Sequence, residues 1–146
     1  MHVFSKPFEA LTLDELYQLL RLRSEIFVVE QDCVYQDIDN KDQKALHVLG
    51  KKQGKLVAYT RCFPPGIYFE EAAIGRVVVT ASERKHKLGR QIMRSSIEIL
   101  QKQYPKQPIK LSAQTYLLDF YKSLQFEPIG NEYLEDGIPH IAMILA

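Results

Sequence analysis

Hydrophobic and polar residues follow two different periods along the chain, and the place where the period changes is informative. Three consecutive β-branched residues, Val77, Val78 and Val79, predict a buried strand over residues 72–79. Apolar residues then return at helical spacing, which predicts a helix over residues 88–104. A basic turn separates the two patterns. It therefore precedes the N-terminus of the long middle helix.

The rest of the chain shows the same two patterns, with clear turn signals between them. A capping box at Thr12 and Glu15 predicts a helix over residues 13–28, and the acidic segment 31–44 that follows is predicted to be a loop. The other predicted elements are strands over 45–51, 55–63, 109–113, 129–134 and 138–145, and a short helix over 117–124. This order predicts an α/β sheet with antiparallel arms and one parallel crossover through the middle helix.

Composition narrows the class of protein. The chain has 146 residues, of which 46% are hydrophobic and 25% charged, so one globular domain over residues 1–146 is expected. The formal net charge of +1 gives no overall attraction to nucleic acid or membrane. The N-terminus lacks the apolar core of a secretory signal, and we expect a cytoplasmic protein whose Cys33 and Cys62 stay reduced.

The basic turn has the chemistry of an anion site. The first N–H groups of a helix lack intrahelical partners, and the helix dipole makes that end positive. Further charge or donors come from Arg84, Lys85, His86, Lys87 and Arg90. The alternative is a solvated turn that aids solubility, but the strand before it and the helix after it favour phosphate binding.

Residues 84–89, Arg-Lys-His-Lys-Leu-Gly, resemble the pyrophosphate loop of the GNAT superfamily of N-acetyltransferases, whose pattern is Gln or Arg, two residues, Gly, one residue, then Gly or Ala. Arg84 and Gly89 fit this pattern, whereas Lys87 stands in place of the first glycine. A positive φ at Lys87 would cost about 1 kcal/mol. The segment 120–126 resembles a later motif of the superfamily, with Gln125 in place of its usual glycine.

Other segments resemble the ElaA family of small GNAT proteins. They include residues 27–31, Cys33, Tyr35, residues 58–59, 113–114 and 135–141. The resemblance implies the GNAT (acyl-CoA N-acyltransferase) fold, with a mixed central sheet flanked by helices, and acetyl-CoA as the acyl donor. The residues that it implies for acetyl-CoA binding are Val77, Val78, Val79, Arg84, Lys85, His86, Lys87, Leu88, Gly89, Arg90 and Gln114.

Acetyl transfer to an amine needs a proton donor for the departing thiolate and an acceptor for the amine proton. The resemblance implies Tyr121 as the proton donor, and the alternative is a core aromatic that shares a helical face with Leu117 and Leu124. The base is left open between Glu30, His47, His140 and a chain of water molecules. His residues have no ligand spacing, so no metal is expected.

We therefore expect an enzyme that moves an acetyl group from acetyl-CoA to a primary amine, by direct attack in a ternary complex. The acceptor would be a small amine or a peptide, and the sequence is compatible with a homodimer. The acidic residues of segments 31–44 and 132–136 either attract the amine or are simply solvated, and we favour solvation. The alternative function is a non-catalytic acyl-CoA-binding or sensing module. Nucleic acid is disfavoured because the basic cluster is short and lacks interleaved aromatics.

Overall fold

A mixed seven-stranded sheet, in the order β1-β2-β3-β4-β5-β7-β6, forms the centre of the molecule. The computed structural model describes all residues from 1 to 146. In chain order the strands and α-helices are β1 His2–Pro7, α1 Leu13–Arg23, β2 Leu46–Lys52, β3 Lys55–Phe63, β4 Ala72–Val79, α2 Leu88–Gln103, β5 Ile109–Gln114, α3 Leu118–Ser123, β6 Glu127–Glu135 and β7 Ile138–Leu145. The predicted α/β architecture with helices flanking a mixed sheet is confirmed.

The parallel pair β4 and β5 lies in the middle of the sheet, and α2 connects its two strands. All other neighbouring strands are antiparallel, so the predicted single parallel crossover is confirmed. The two parallel strands pair only at their beginnings, where Ala72 faces Ile109 and Ala73 faces Lys110. Beyond Ala73 they diverge, which leaves one edge of β4 without a strand partner in the centre of the sheet.

A β-bulge distorts β4 just after this point. Tyr59 of β3 faces Val78 and Arg61 faces Gly75, so Thr60 alone lies opposite two residues, Arg76 and Val77. Arg76 has a φ of 49°, in the left-handed region that non-glycine residues seldom adopt. Such a bulge redirects the strand, and here it does so beside the gap between β4 and β5.

The hydrophobic core fills both faces of the sheet. The main cluster joins Ile92 and Met93 of α2 and Tyr121 of α3 to Ile74 and Leu111 of the central strands. A second cluster packs α1 against the opposite face. Its buried members are Leu19, Leu22, Ile26, Leu49, Tyr59 and Val78. Because side chains alternate along a strand, neighbouring residues of β4 contribute to different clusters.

Several local predictions hold and others need correction. The capping box is present, since Thr12 Oγ1 accepts from the Glu15 N–H at 3.0 Å and Glu15 Oε1 accepts from the Thr12 N–H at 2.9 Å. The first helix does not continue as a regular α-helix to residue 28, because Ser24–Glu30 forms a π-helix. Strand β1 was not predicted from the sequence. The longest helix has 16 residues and mixed polarity, and no helix meets the requirements for crossing a bilayer.

Two departures from the superfamily pattern have a common geometry. Lys87 has a φ of 58° and Gln125 a φ of 76°, so both side chains stand where the family pattern has glycine and where the backbone is left-handed. The positive φ considered for Lys87 is therefore present. At such a φ the Cβ crowds the following carbonyl, which costs about 1–2 kcal/mol per residue.

Candidate active site

The gap between β4 and β5 opens into a cavity of about 560 Å³. Its walls come from β4, β5, α3, the hairpin of β6 and β7, and the segment that follows the π-helix. A cavity of this size at a break in the central sheet falls within the usual range for small-ligand sites. We refer to it as the cleft.

One end of the cleft lies at the N-terminus of α2. Val77, Val78, Val79, Arg84 and Gly89 line it there. No side chain caps the first turn of α2, so its leading N–H groups stay available to an anion. The 3₁₀ turn Ala81–His86 connects β4 to that end of α2.

The remaining residues of the basic turn do not line the cleft. Lys85, His86 and Lys87 are exposed, and Leu88 is buried in the core next to them. Arg90 donates a hydrogen bond from Nη2 to Ser123 Oγ at 2.7 Å. Only Arg84 and Gly89 of the turn therefore border the cleft directly.

Arg84 is already paired with a carboxylate across the cleft. Its guanidinium makes two hydrogen bonds to Glu30, one of them from Nη2 to Oε2 at 2.9 Å. Both side chains are about two-fifths exposed, at 43% and 39%. Two parallel bonds of this kind are the geometry with which arginine also binds phosphate. Glu30 therefore occupies the face of Arg84 that an anionic ligand would use.

The segment Glu30 to Cys33, which we call the strap, makes three contacts with the opposite wall of the cleft. Besides the bonds from Glu30 to Arg84, Gln31 Oε1 accepts from Gln114 Nε2 at 3.4 Å. Cys33 Sγ lies 3.4 Å from the backbone oxygen of Asp136. These contacts reach three different elements, and the strap therefore bridges the cleft along its length.

Tyr121 enters the cleft from α3. It is 5% exposed, lies edge-on to Phe120 and Phe126, and lines the cleft. Burial raises the pKa of its phenol, so the group stays protonated at neutral pH. The prediction that Tyr121 shares a face with Leu117 and Leu124 is confirmed, because all three pack with the main core.

A polar cluster that was not predicted from the sequence lies opposite Tyr121. Ser112 of β5 hydrogen-bonds to Tyr133 of β6 and lies 3.5 Å from Glu135 Oε1. His140 Nε2 lies 3.3 Å from Glu135 Oε2, and its Nδ1 lies 2.7 Å from the Ile138 backbone oxygen. His140, one of the candidate bases, is therefore in the cleft. The members of this polar cluster come from three strands, β5, β6 and β7, and have no common spacing in the sequence.

His47, another candidate base, lies outside the cleft. Its side chain is fully buried, with Nδ1 at 2.6 Å from the Tyr59 hydroxyl and Nε2 at 2.8 Å from the Asp42 backbone oxygen. Burial lowers the pKa of the imidazole, which keeps the ring neutral. Both ring nitrogens are engaged inside the protein, and His47 is not among the residues that line the cleft.

The expectation for the acidic loop needs a correction, because Asp37, Asp39 and Asp42 are not simply solvated, whereas Asp32 is exposed and forms no ion pair. A buried ion network joins three aspartates to three arginines from α1, β3 and β4. Its members are Asp37, Asp39, Asp42, Arg23, Arg61 and Arg76. Burial opposes ionisation of Asp39, but hydrogen bonds and charge from Arg61 outweigh it and hold the pKa of Asp39 at about 2. The network fixes the loop beside the cleft.

The two cysteines are free, and their surroundings differ. Burial raises the pKa of the Cys62 thiol to about 12, so this side chain behaves as a core residue. Cys33 is partly exposed and belongs to the strap. No group of His, Cys, Asp and Glu side chains has the arrangement of a metal site.

Comparison with known proteins decides the family. Residues 16–146 match the family described as "Acetyltransferase (GNAT) domain". The chain belongs to the GNAT acetyltransferase family. This GNAT protein is 44% identical to protein ElaA of Escherichia coli K12, over 91% of its own length and 88% of that protein. The resemblance to ElaA seen in the sequence is thus confirmed.

Solved structures agree with this assignment. A crystal structure of Escherichia coli ElaA matches the GNAT protein with a TM-score of 0.92 and 41% identity, covering 98% of this chain and 97% of that one. A crystal structure of an acyl-CoA N-acyltransferase from Pseudomonas aeruginosa matches with a TM-score of 0.94 and 39% identity, covering 99% of both chains. The expected GNAT fold is therefore confirmed.

Proposed function

We propose that the protein transfers the acetyl group of acetyl-CoA to a primary amine by direct attack in a ternary complex. The observation that carries the proposal is the divergence of β4 and β5 around a cleft that Tyr121 enters from one side. The GNAT family and the similarity to an acyl-CoA N-acyltransferase support acyl-CoA as the donor.

The donor would lie along the unpaired edge of β4. Val78 faces Tyr59 of β3 on one edge, but on the other edge the backbone between Val77 and Val79 has no strand partner, and an amide-bearing chain can pair with such an edge. The diphosphate would then bind at the N-terminus of α2, where Arg84 supplies positive charge and Gln114 borders the same cleft.

Gly89 provides a test of fit for the diphosphate. A Cβ added at Gly89 would meet only side-chain atoms, Phe120 Cζ at 3.7 Å and Val79 Cγ2 at 3.8 Å, and these are ordinary contact distances. Gly89 also has no positive φ. The fold itself therefore tolerates a side chain at this position, and a closely approaching ligand is the reason left for glycine.

Bond changes in the reaction balance with the groups present. The C–N bond of the amide forms as the thioester C–S bond breaks, and Tyr121 gives its proton to the departing sulfur. A backbone N–H near Val78 would stabilise the oxyanion. The proton that leaves the amine nitrogen passes to His140 or to water, and from there it restores the phenol.

Among the three candidate bases, His140 is favoured. His47 is enclosed, and Glu30 is paired with Arg84 at the diphosphate end of the cleft. His140 lies beside the exposed carboxylate of Glu135, on the wall opposite Tyr121. Because Nδ1 lies 2.7 Å from the Ile138 oxygen and donates to it, Nε2 is the ring nitrogen that can accept a proton.

Calorimetric titration with acetyl-CoA, followed by thiol-release assays with a panel of amines, tests the proposal. Tyr121→Phe is expected to keep acetyl-CoA affinity and to reduce kcat about 10²-fold or more, the usual contribution of general acid catalysis. Tyr104→Phe is the control, because Tyr104 packs against the same core without lining the cleft. Binding without thiol release from any amine would favour the non-catalytic acyl-CoA-binding module, and absence of binding would refute both.

A further inference from the structure

The cleft has two faces, and only one of them is open to an acceptor. Leu111 and Tyr121 belong to the main core under α2 and α3, which fills the first face. Ser112 and Gln114 alternate along β5 with the core residues Leu111 and Ala113, so they point to the second face, where His140 and the strap also lie. The proton donor and the acceptor therefore approach the thioester from opposite sides of the sheet.

Aromatic side chains line the second face near the start of β4. Phe63, Tyr68 and Phe69 form one wall, with Phe63 and Tyr68 stacked at 5.1 Å and Tyr68 and Phe69 edge-on at 4.9 Å. Tyr35 and Tyr133 line the same cleft from the acidic loop and from β6. Such a surface binds a flat apolar group better than a hydrated, hydroxyl-rich one.

The positive charges on this face are already paired with carboxylates. The lining arginines, Arg61 and Arg76, are held by Asp37, Asp39 and Asp42 in a network whose three positive and three negative charges balance. No lysine lines the cleft, although Lys41 Nζ lies 5.3 Å from the ring centroid of Tyr68 and Lys110 Nζ lies 4.9 Å from that of Phe69.

Two carboxylates of the β6–β7 hairpin, Glu135 and Asp136, border the mouth of the cleft and have fewer ionic partners. Glu135 is 47% exposed and has His140 as its sole ionic partner, and the side chain of Asp136 forms no ion pair. Free charge at the mouth is therefore negative, and it favours a cation over an anion.

We propose, on the basis of the proposed acetyltransferase function, that the acceptor is a primary amine carried on an aromatic body without a carboxylate. The ring would pack against Tyr68 and Phe69, and the amine would approach Glu135 and His140. A free amino acid would bring a carboxylate, and both arginines that line this face are already paired with aspartates. A polyamine or an aminoglycoside would need several carboxylates and would leave the aromatic wall unused.

Matched acceptors give the test. Thiol release is measured with 2-phenylethylamine, phenylalanine, n-propylamine and spermidine at saturating acetyl-CoA. The expected kcat/KM for 2-phenylethylamine exceeds that of each other amine about tenfold or more, because loss of the ring or addition of an unpaired carboxylate each weakens transition-state binding. A value for phenylalanine, n-propylamine or spermidine equal to or above that of 2-phenylethylamine overturns the inference and leaves the proposed function intact.

Two variants test the placement. Glu135→Gln is expected to lower kcat/KM for 2-phenylethylamine about tenfold with unchanged acetyl-CoA affinity, whereas Glu132→Gln, an exposed control on the same strand, has no effect. Tyr68→Leu is expected to raise KM for 2-phenylethylamine but not for n-propylamine. Equal effects of the two glutamate variants overturn the placement. If no amine releases CoA, the proposed function fails and this inference fails with it.

Discussion

Arg23 offers the sharpest test of the buried ion network, because it has no exposed surface and a matched control lies two residues away. Its Nε donates to Asp37 Oδ2 at 3.0 Å, its Nη1 to Asp42 Oδ1 at 2.7 Å, and its Nη2 to the Asp37 backbone oxygen at 2.8 Å. Arg23→Met removes all three bonds and keeps an apolar side chain of similar length in the space. Two buried carboxylates then lose a cationic partner.

Removal of one partner from a buried ion pair costs about 3–5 kcal/mol. For a chain of this size, each kcal/mol lowers Tm by about 2–4 °C. We therefore expect Arg23→Met to lower Tm by about 6–20 °C, with a matching decrease in the free energy of unfolding in urea. Arg21→Met is the control: Arg21 is 69% exposed and lies 3.7 Å from Glu25, a pair that contributes about 0–1 kcal/mol.

Urea denaturation followed by circular dichroism measures both variants under the same conditions. The reasoning fails if Arg23→Met destabilises the protein no more than Arg21→Met does. It also fails if Arg23→Met is more stable than the original chain, because the desolvation cost of the network would then exceed the attraction within it.

Three further predictions concern the cleft, the backbone and pH. Glu30→Gln is expected to tighten acetyl-CoA binding several-fold in calorimetry by freeing Arg84, and Arg84→Gln to weaken it about tenfold, with Glu25→Gln as the neutral control. Gln125→Gly is expected to raise the free energy of unfolding by about 1 kcal/mol, because it relieves a φ of 76°. The pKa of Asp39 is lowered to about 2 in the folded state, so its contribution to stability is complete above the unfolded pKa near 4 and is lost as pH falls from about 4 to 2. Measuring the free energy of unfolding of Asp39→Asn and of the original chain over this pH range tests the prediction.

Each of these has a result that contradicts it. Unchanged acetyl-CoA affinity in Glu30→Gln would mean that Glu30 does not compete with the ligand for Arg84. A loss of stability in Gln125→Gly would mean that the entropy of glycine outweighs the strain. Equal acid sensitivity of Asp39→Asn and the original chain would mean that the Asp39 pair contributes nothing in that pH range.

The central elements could be predicted because their sequence signals are local. Three valines followed by a helical repeat mark β4 and α2, and the capping box marks the start of α1. In contrast, β1 could not be recognised, because it is an edge strand whose short mixed sequence gains its structure from pairing with β2, 39 to 49 positions further along the chain. Pairing at that distance leaves no trace in a short window of sequence.

The site was predictable to a similar degree. Arg84 and Gly89 belong to a contiguous motif, so they were found together with the strand before them. The polar cluster was not, since Ser112, Glu135 and His140 come from three strands and meet only when the sheet forms. The ion network could not be predicted for the same reason. The sequence of an acidic loop does not indicate which distant arginines will pair with its aspartates.

The brief pairing at Ala72 and Ala73 has a mechanical consequence. Strands β1 to β4 form one half-sheet and β5 to β7 another, and these two rungs are the whole hydrogen-bonded ladder between the halves. A ligand bound between β4 and β5 contacts both half-sheets and therefore limits their movement relative to each other. Occupancy of the cleft is therefore expected to slow amide hydrogen exchange in both halves at once, far from the atoms that touch the ligand.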